Sequence, residues 1–394
     1  MSDALPSPEA LRTRNAVAAV FVLNGLLFAT LFARVPDLRE DLDLSNGGLG
    51  LLLLSISVGS LLGLPASGKL IERLGAAGVV RGGAVLTAVG FAVAAFGASA
   101  LTSAPVVALG LGLYGFGTGT WDVAMNVEGA DVERRLGRTV MPRFHAGFSF
   151  GAIGGAGVGV LAARYSVPIP VHFMLVSLAA LAAVLASVRA FTPVPPPDVS
   201  EEAASGRSAW LEPRTLAIGA MVLAFTLAEG AAGDWLALAL VDGYDARHFV
   251  GVAGFALFVT AMTTGRMVGP TLLDRFGRVP VLLGSAAAAF VGLLMVILGG
   301  HPAYVVIGIV IWGLGAALGF PVGMSAAADD PRRAARRVAV VSTIGYGAFL
   351  AGPPLLGFVG NEVGTLDSLY VVAAAMVPAA VLVLAVRRPR AAVG

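Results

Sequence analysis

Residues Gly68–Gly75 read GKLIERLG, and in the second half of the chain Pro270–Arg278 read PTLLDRFGR. Leu70, Glu72, Arg73 and Gly75 align with Leu272, Asp274, Arg275 and Gly277. Each copy is a short charged break between long runs of Gly, Ala, Leu and Val. Glycine after such a break ends one helix and lets the chain turn into the next. A helix needs roughly 20 apolar residues to cross the hydrocarbon core, and working outward from the two copies yields about twelve such runs. The first lies near 15–34 and the last near 369–386. A second echo supports the repeat: YGFG (Tyr114–Gly117) in the fourth run matches WGLG (Trp312–Gly315) in the tenth. The expected fold is an all-α membrane protein of twelve transmembrane helices in two six-helix halves. The halves are 1–192 and 214–394, joined by a cytoplasmic linker, 193–213, rich in Pro, Ser and charge. Parallel fused halves of this kind are a transporter architecture, with the site near the midplane between them.

Composition agrees. The 394 residues are 57% hydrophobic and 13% charged, with a mean hydropathy of +0.86. A soluble chain carries about 25% charged residues. Cysteine is absent, which excludes disulfides, thiolate metal sites and cysteine nucleophiles. His145, His172, His248 and His301 are scattered without metal-ligand spacing, so neither metal nor other cofactor is expected. There is no Walker A motif and no His/Asp/Ser cluster at catalytic spacing, which argues against ATP drive and against an enzyme.

The pI near 9.2 reflects topology rather than nucleic-acid binding. With the N-terminus inside, about 22 basic residues fall on cytoplasmic segments and about 4 on external ones. The first apolar run follows a polar start with no cleavage site and reads as a retained span. The protein is therefore expected in the inner (plasma) membrane with both termini cytoplasmic.

The chemistry is concentrated in Thr118–Gly129, TGTWDVAMNVEG. Asp122 and Asn126 are four apart and share a helix face, which Gly115, Thr118 and Gly119 extend with small residues. The second half has Phe320 and Met324 at the corresponding places, so the fold does not demand polar groups there. Asp122 lies about 7 Å from the estimated midplane at 1.5 Å per residue, too deep for headgroups. A carboxylate out of water favours its neutral form, which suits proton coupling. A structural ion pair with Arg138 or Arg143 is the alternative. In the seventh span, LAEGAAGDWLAL, Glu229 is the deeper carboxylate and a second proton-coupling candidate. Asp234 is expected to face elsewhere, about 140° away, anchoring the outer end beside Trp235.

The doubled acid–Arg–x–Gly turn, the six-plus-six repeat and the central linker resemble the major facilitator superfamily. That resemblance implies that Glu72, Arg73, Asp274 and Arg275 gate the cytoplasmic side. The fourth-span pair, followed by RFHAGFSFGAIGG (Arg143–Gly155), resembles the fucose-permease-like sugar:proton symporter branch. This implies that Asp122 takes the proton and Asn126 bonds a hydroxylated solute. The branch also carries an acid in its first span, where this chain has only Asn24 and Thr30.

Further candidates are weaker. Asn24 is a polar first-span group for solute binding. Trp121, Phe144, Trp312 and Tyr346 offer aromatic faces for a sugar ring, or simple packing. His145 is a proton relay or a helix-end hydrogen bonder. Arg34 and Arg266 sit near span ends and are expected to snorkel. The glycine-rich fifth and eleventh spans are expected to flex or to pack tightly.

The function expected is secondary active transport of a small solute, a sugar or related polar metabolite, by proton-coupled symport with alternating access. A proton-driven exporter of lipophilic compounds remains the alternative. The expected partners are the solute, protons and membrane lipids, with the protein acting as a monomer.

Overall fold

The computed structural model describes residues 7–44, 46–191, 208–246 and 248–387. The expected linker lies outside the described residues as far as 207. Its end forms a 3-10 turn, Ala209–Leu211, whose Trp210 N–H is capped by the Ser208 hydroxyl oxygen.

Among the described residues the regular structure is entirely helical. The first half contributes α1 (Pro8–Phe32), the short α2 (Val35–Asp41), α3 (Asn46–Ser99), α4 (Ala104–Leu136), α5 (Met141–Arg164) and α6 (Ile169–Ser187). The second contributes α7 (Pro213–Ala231), α8 (Ala237–Tyr244), α9 (His248–Phe276), α10 (Arg278–Leu298), α11 (Pro302–Ala316), α12 (Gly319–Ala327), α13 (Ala334–Val363) and α14 (Thr365–Leu382). Nine stretches among the described residues are long and apolar enough to cross a membrane. Large apolar side chains such as Leu51, Leu62, Val160, Leu175, Phe358 and Val381 are exposed along them. Facing water, such surfaces would be costly; facing lipid, they carry no such penalty.

The two charged turns adopt one conformation. Gly75, inside α3, has φ 70° and ψ 164°; Gly277, between α9 and α10, has φ 82° and ψ 168°. A side chain is strained there, which explains glycine at both positions. The repeat extends into packing. A Cβ on Gly90 of α3 would lie 2.6 Å from the Gly110 carbonyl oxygen of α4. A Cβ on Gly292 of α10 would lie 2.7 Å from that of Gly308 in α11. Both halves thus bring consecutive helices together backbone to backbone.

By internal contacts the chain forms two compact units. The first is Met1–Gly137, Phe144–Gly206 and Pro331–Ala339; the second is Arg138–Arg143, Arg207–Asp330 and Val340–Gly394. Each unit therefore contains one basic loop segment drawn from the other half of the sequence.

The fifth-span glycines are contact points. A Cβ on Gly151 would strike the Val22 carbonyl of α1, and one on Gly155 the Leu26 carbonyl. Gly154 and Gly157 meet nothing. Close α1–α5 packing explains the first pair.

Candidate functional site

In the first unit, α4, α5 and α1 converge on a buried polar chain. Asn126 donates its Nδ2 to the Asp122 backbone oxygen at 2.9 Å, and reaches Asp122 Oδ2 at 3.5 Å. Its Oδ1 lies 3.1 Å from His145 Nε2. With the amide nitrogen committed to Asp122, the oxygen accepts, so His145 carries its proton on Nε2. The His145 ring meets Phe21 of α1 edge-on at 5.0 Å, and Phe21 stacks on Phe144 at 5.7 Å. Asn24 of α1 points its Nδ2 at Met125 Sδ, 3.9 Å away. Asp122, Asn126, His145 and Asn24 are all buried. The helix periodicity that placed Asp122 over Asn126 did not reach His145, which is on another helix.

The small residues ahead of this pair serve packing. A Cβ on Gly115 would strike the Ile56 carbonyl of α3, and Gly119 faces Ser60. The Thr118 hydroxyl donates to the Tyr114 carbonyl of its own helix. The face therefore meets α3 in its first turns and reaches α5 further on, where Asn126 meets His145.

The corresponding place in the second unit is nearly apolar. Phe320 and Met324 occupy the α4 positions, and the Ser342 hydroxyl approaches Met324 Sδ at 3.4 Å. Tyr346 is half-buried, edge-on to Phe320 at 5.4 Å and 5.8 Å from Phe349.

Two of the aromatic candidates lie inside the packing. Trp121 and Trp312 are fully buried. Trp121 Cβ packs against the Gly83 position of α3, and Trp312 meets Phe258 edge-on at 5.1 Å. Neither indole has a face open to a solute, because each is fully enclosed by its neighbours.

The second unit has its own intramembrane charge. Arg266 of α9 donates through Nη2 to both Glu229 carboxylate oxygens of α7, at 3.0 and 2.8 Å. Its Nε reaches the Ala317 carbonyl at 3.4 Å. Arg266 is 5% exposed, so it does not snorkel; the Glu229 side chain retains 24% exposure. Arg34 is also buried, with its Nε 2.8 Å from Asp37. In each case a nearby carboxylate provides the charge partner that headgroups were expected to provide. Directly after α7 the helix widens into a π turn, Ala232–Leu236, which carries the exposed Asp234. The 100° per residue rule does not run through a π turn, so the predicted angle between Glu229 and Asp234 does not hold.

At the charged turns the acids take the partners. Glu72 pairs with Arg336, a member of the first unit. Asp274 accepts from the Thr139 N–H at 3.0 Å within the second. Arg73 and Arg275 are exposed, and the Arg275 guanidinium lies 5.1 Å over the Phe276 ring.

Three buried acids of α4, Glu128, Asp131 and Glu133, escaped the sequence reading. Glu128 is fully buried on α4. It lies seven residues, two turns, beyond Trp121, and so shares a face of α4 with it. That spacing was the available signal.

The sequence matches the Major Facilitator Superfamily profile over residues 17–271 and 246–394. It is 33% identical to an uncharacterized transporter of Sinorhizobium fredii over 88% of this chain and 90% of that protein. In structure it resembles the E. coli fucose:proton symporter, with TM-score 0.80 and 15% identity over 97% of this chain and 100% of the other. It also resembles a proton:xylose symporter, with TM-score 0.76 and 13% identity over 96% and 95%. Structural likeness at such identities speaks for the fold alone. With nearly the whole sequence matched and a relative at this identity, the chain is a multi-pass membrane protein of the major facilitator superfamily, a transporter and not an enzyme.

Proposed function

We propose that the protein moves a small polar solute, of the sugar or polyol class, by proton-coupled symport with alternating access. The observation that carries this reading is the buried chain Asp122–Asn126–His145, set against Phe320, Met324 and Ser342 in the other half. A membrane helix holds a carboxylate at cost, and an intramembrane acid is functional by default. Asp122 takes the proton, and Asn126 and Asn24 bond solute hydroxyls. Tyr346 offers the second half's aromatic edge. Glu229 is the second proton-linked carboxylate. Gating belongs to the turns of Glu72, Arg73, Asp274 and Arg275, where the acids bind the basic loops. The crossings number twelve: α3 counts as two, broken at Gly75, and α4 and α9 join the nine apolar stretches. The membrane is the inner (plasma) membrane, with both termini cytoplasmic.

The test is a thermal-shift screen of the purified protein at two pH values, beside Asp122→Asn. A sugar or polyol that stabilises the wild type pH-dependently, with that dependence lost in the variant, supports the symporter. Stabilisation by lipophilic cations alone would move the reading to an exporter.

A further inference from the structure

The second unit has three irregular features close to one another along its chain contacts. The first is the Glu229–Arg266 pair. The second is the π turn Ala232–Leu236, which starts three residues after Glu229. The third is the break between α11 and α12 at Ala317 and Leu318, whose Ala317 carbonyl faces Arg266 Nε. Irregular backbone at membrane depth is tolerated only where it is buried in protein or lines a cavity. In transporters, interrupted helices gather around the ligand. A π turn is likewise common at functional sites. Glu229 and the Ala317 carbonyl both meet the guanidinium, and the π turn follows Glu229 on the same helix.

Packing alone does not require this arrangement. Replacing a buried ion pair by apolar side chains of similar volume is often neutral for stability. Glu229 also engages Arg266 through a single nitrogen, Nη2, at both oxygens. The two-nitrogen fork that makes an arginine–carboxylate pair strongest is thus not used between these two. The carboxylate is the more exposed partner, so it can leave while the guanidinium stays.

On the transport reading above, we infer that Arg266 anchors a carboxylate on the transported solute, and that Glu229 occupies the place of that carboxylate in the unloaded protein. The solute is then a hydroxylated carboxylic acid. Its anion goes to Arg266. Protonation of Glu229 releases the guanidinium, and the incoming carboxylate restores its partner. One proton, taken from the aqueous side on the transport reading, forms the Glu229 O–H bond; no other covalent bond changes.

The experiment is chemical rescue in the full-length protein. Glu229→Gln removes the resident carboxylate, and Glu229→Ala adds room for a replacement. Each is melted in sodium acetate, in acetamide of equal concentration, and in sodium chloride of equal ionic strength. Acetate is expected to raise the melting temperature of either variant by about 3 °C over both controls. The wild type and the double variant Glu229→Gln/Arg266→Gln should not respond. Equal melting in acetate, acetamide and chloride for both single variants overturns the proposal. So does an acetate response that persists in the double variant. Asp122→Asn is scored separately for solute-linked pH dependence, so loss of the coupling reading and loss of the anion site give different patterns.

Discussion

Asn126 accepts a hydrogen bond from His145 across two helices while donating to Asp122 on its own. One amide therefore orients both a carboxylate and an imidazole, and its two ends cannot exchange without breaking both contacts. Asn126→Ala is expected to lower stability by about 1–3 kcal/mol, because buried polar partners lose their bonds. Denaturation in detergent measures this. The variant should also lose pH-dependent solute stabilisation.

Asp122→Asn should separate coupling from binding. The amide is nearly isosteric and cannot take a proton from the gradient. Accumulation of solute in proteoliposomes with an imposed pH gradient should fall about 5–150-fold, the range of a typical coupling energy. Exchange without a gradient should survive. Equal accumulation by variant and wild type would make Asp122 a structural group.

The fifth span contains its own control. Gly151→Ala places a methyl group onto the Val22 carbonyl, whereas Gly154→Ala meets open space. The first should cost about 1–3 kcal/mol by overpacking. The second should be neutral or slightly stabilising, since alanine is the better helix former. Melting curves of the two proteins would show the difference directly.

The turn acids should matter kinetically more than thermodynamically. The Arg336 side chain is 46% exposed in its pair with Glu72, so the pair contributes about 0–1 kcal/mol to stability. Glu72→Arg and Arg336→Glu should each slow transport with little change in melting. The double exchange should recover rate, since the attraction is restored with reversed sign. Failure of the double variant to recover would mean the pair has no role in gating.

Much of this protein was legible along the chain because its information is local. Hydropathy over a bilayer-length window is a property of consecutive residues, and so is the acid–Arg–x–Gly turn. Gly75 and Gly277 share a conformation that other residues strain to adopt, so the letter alone announces the turn. The four-residue spacing of Asp122 and Asn126 likewise reads out one helix face. What sits across from a face depends on which helix packs there, and no local pattern encodes that. His145 was visible as a titratable residue, but its bond to Asn126 needed α5 to lie on α4. Arg266 looked like a span-end cation until α7 brought Glu229 to it. Trp121 and Trp312 could have been solute platforms or packing groups, and only the fold shows both fully buried. Composition and period select the helices and their polar faces; the partners of those faces follow from three-dimensional packing, where contact distance rather than sequence separation sets the energy.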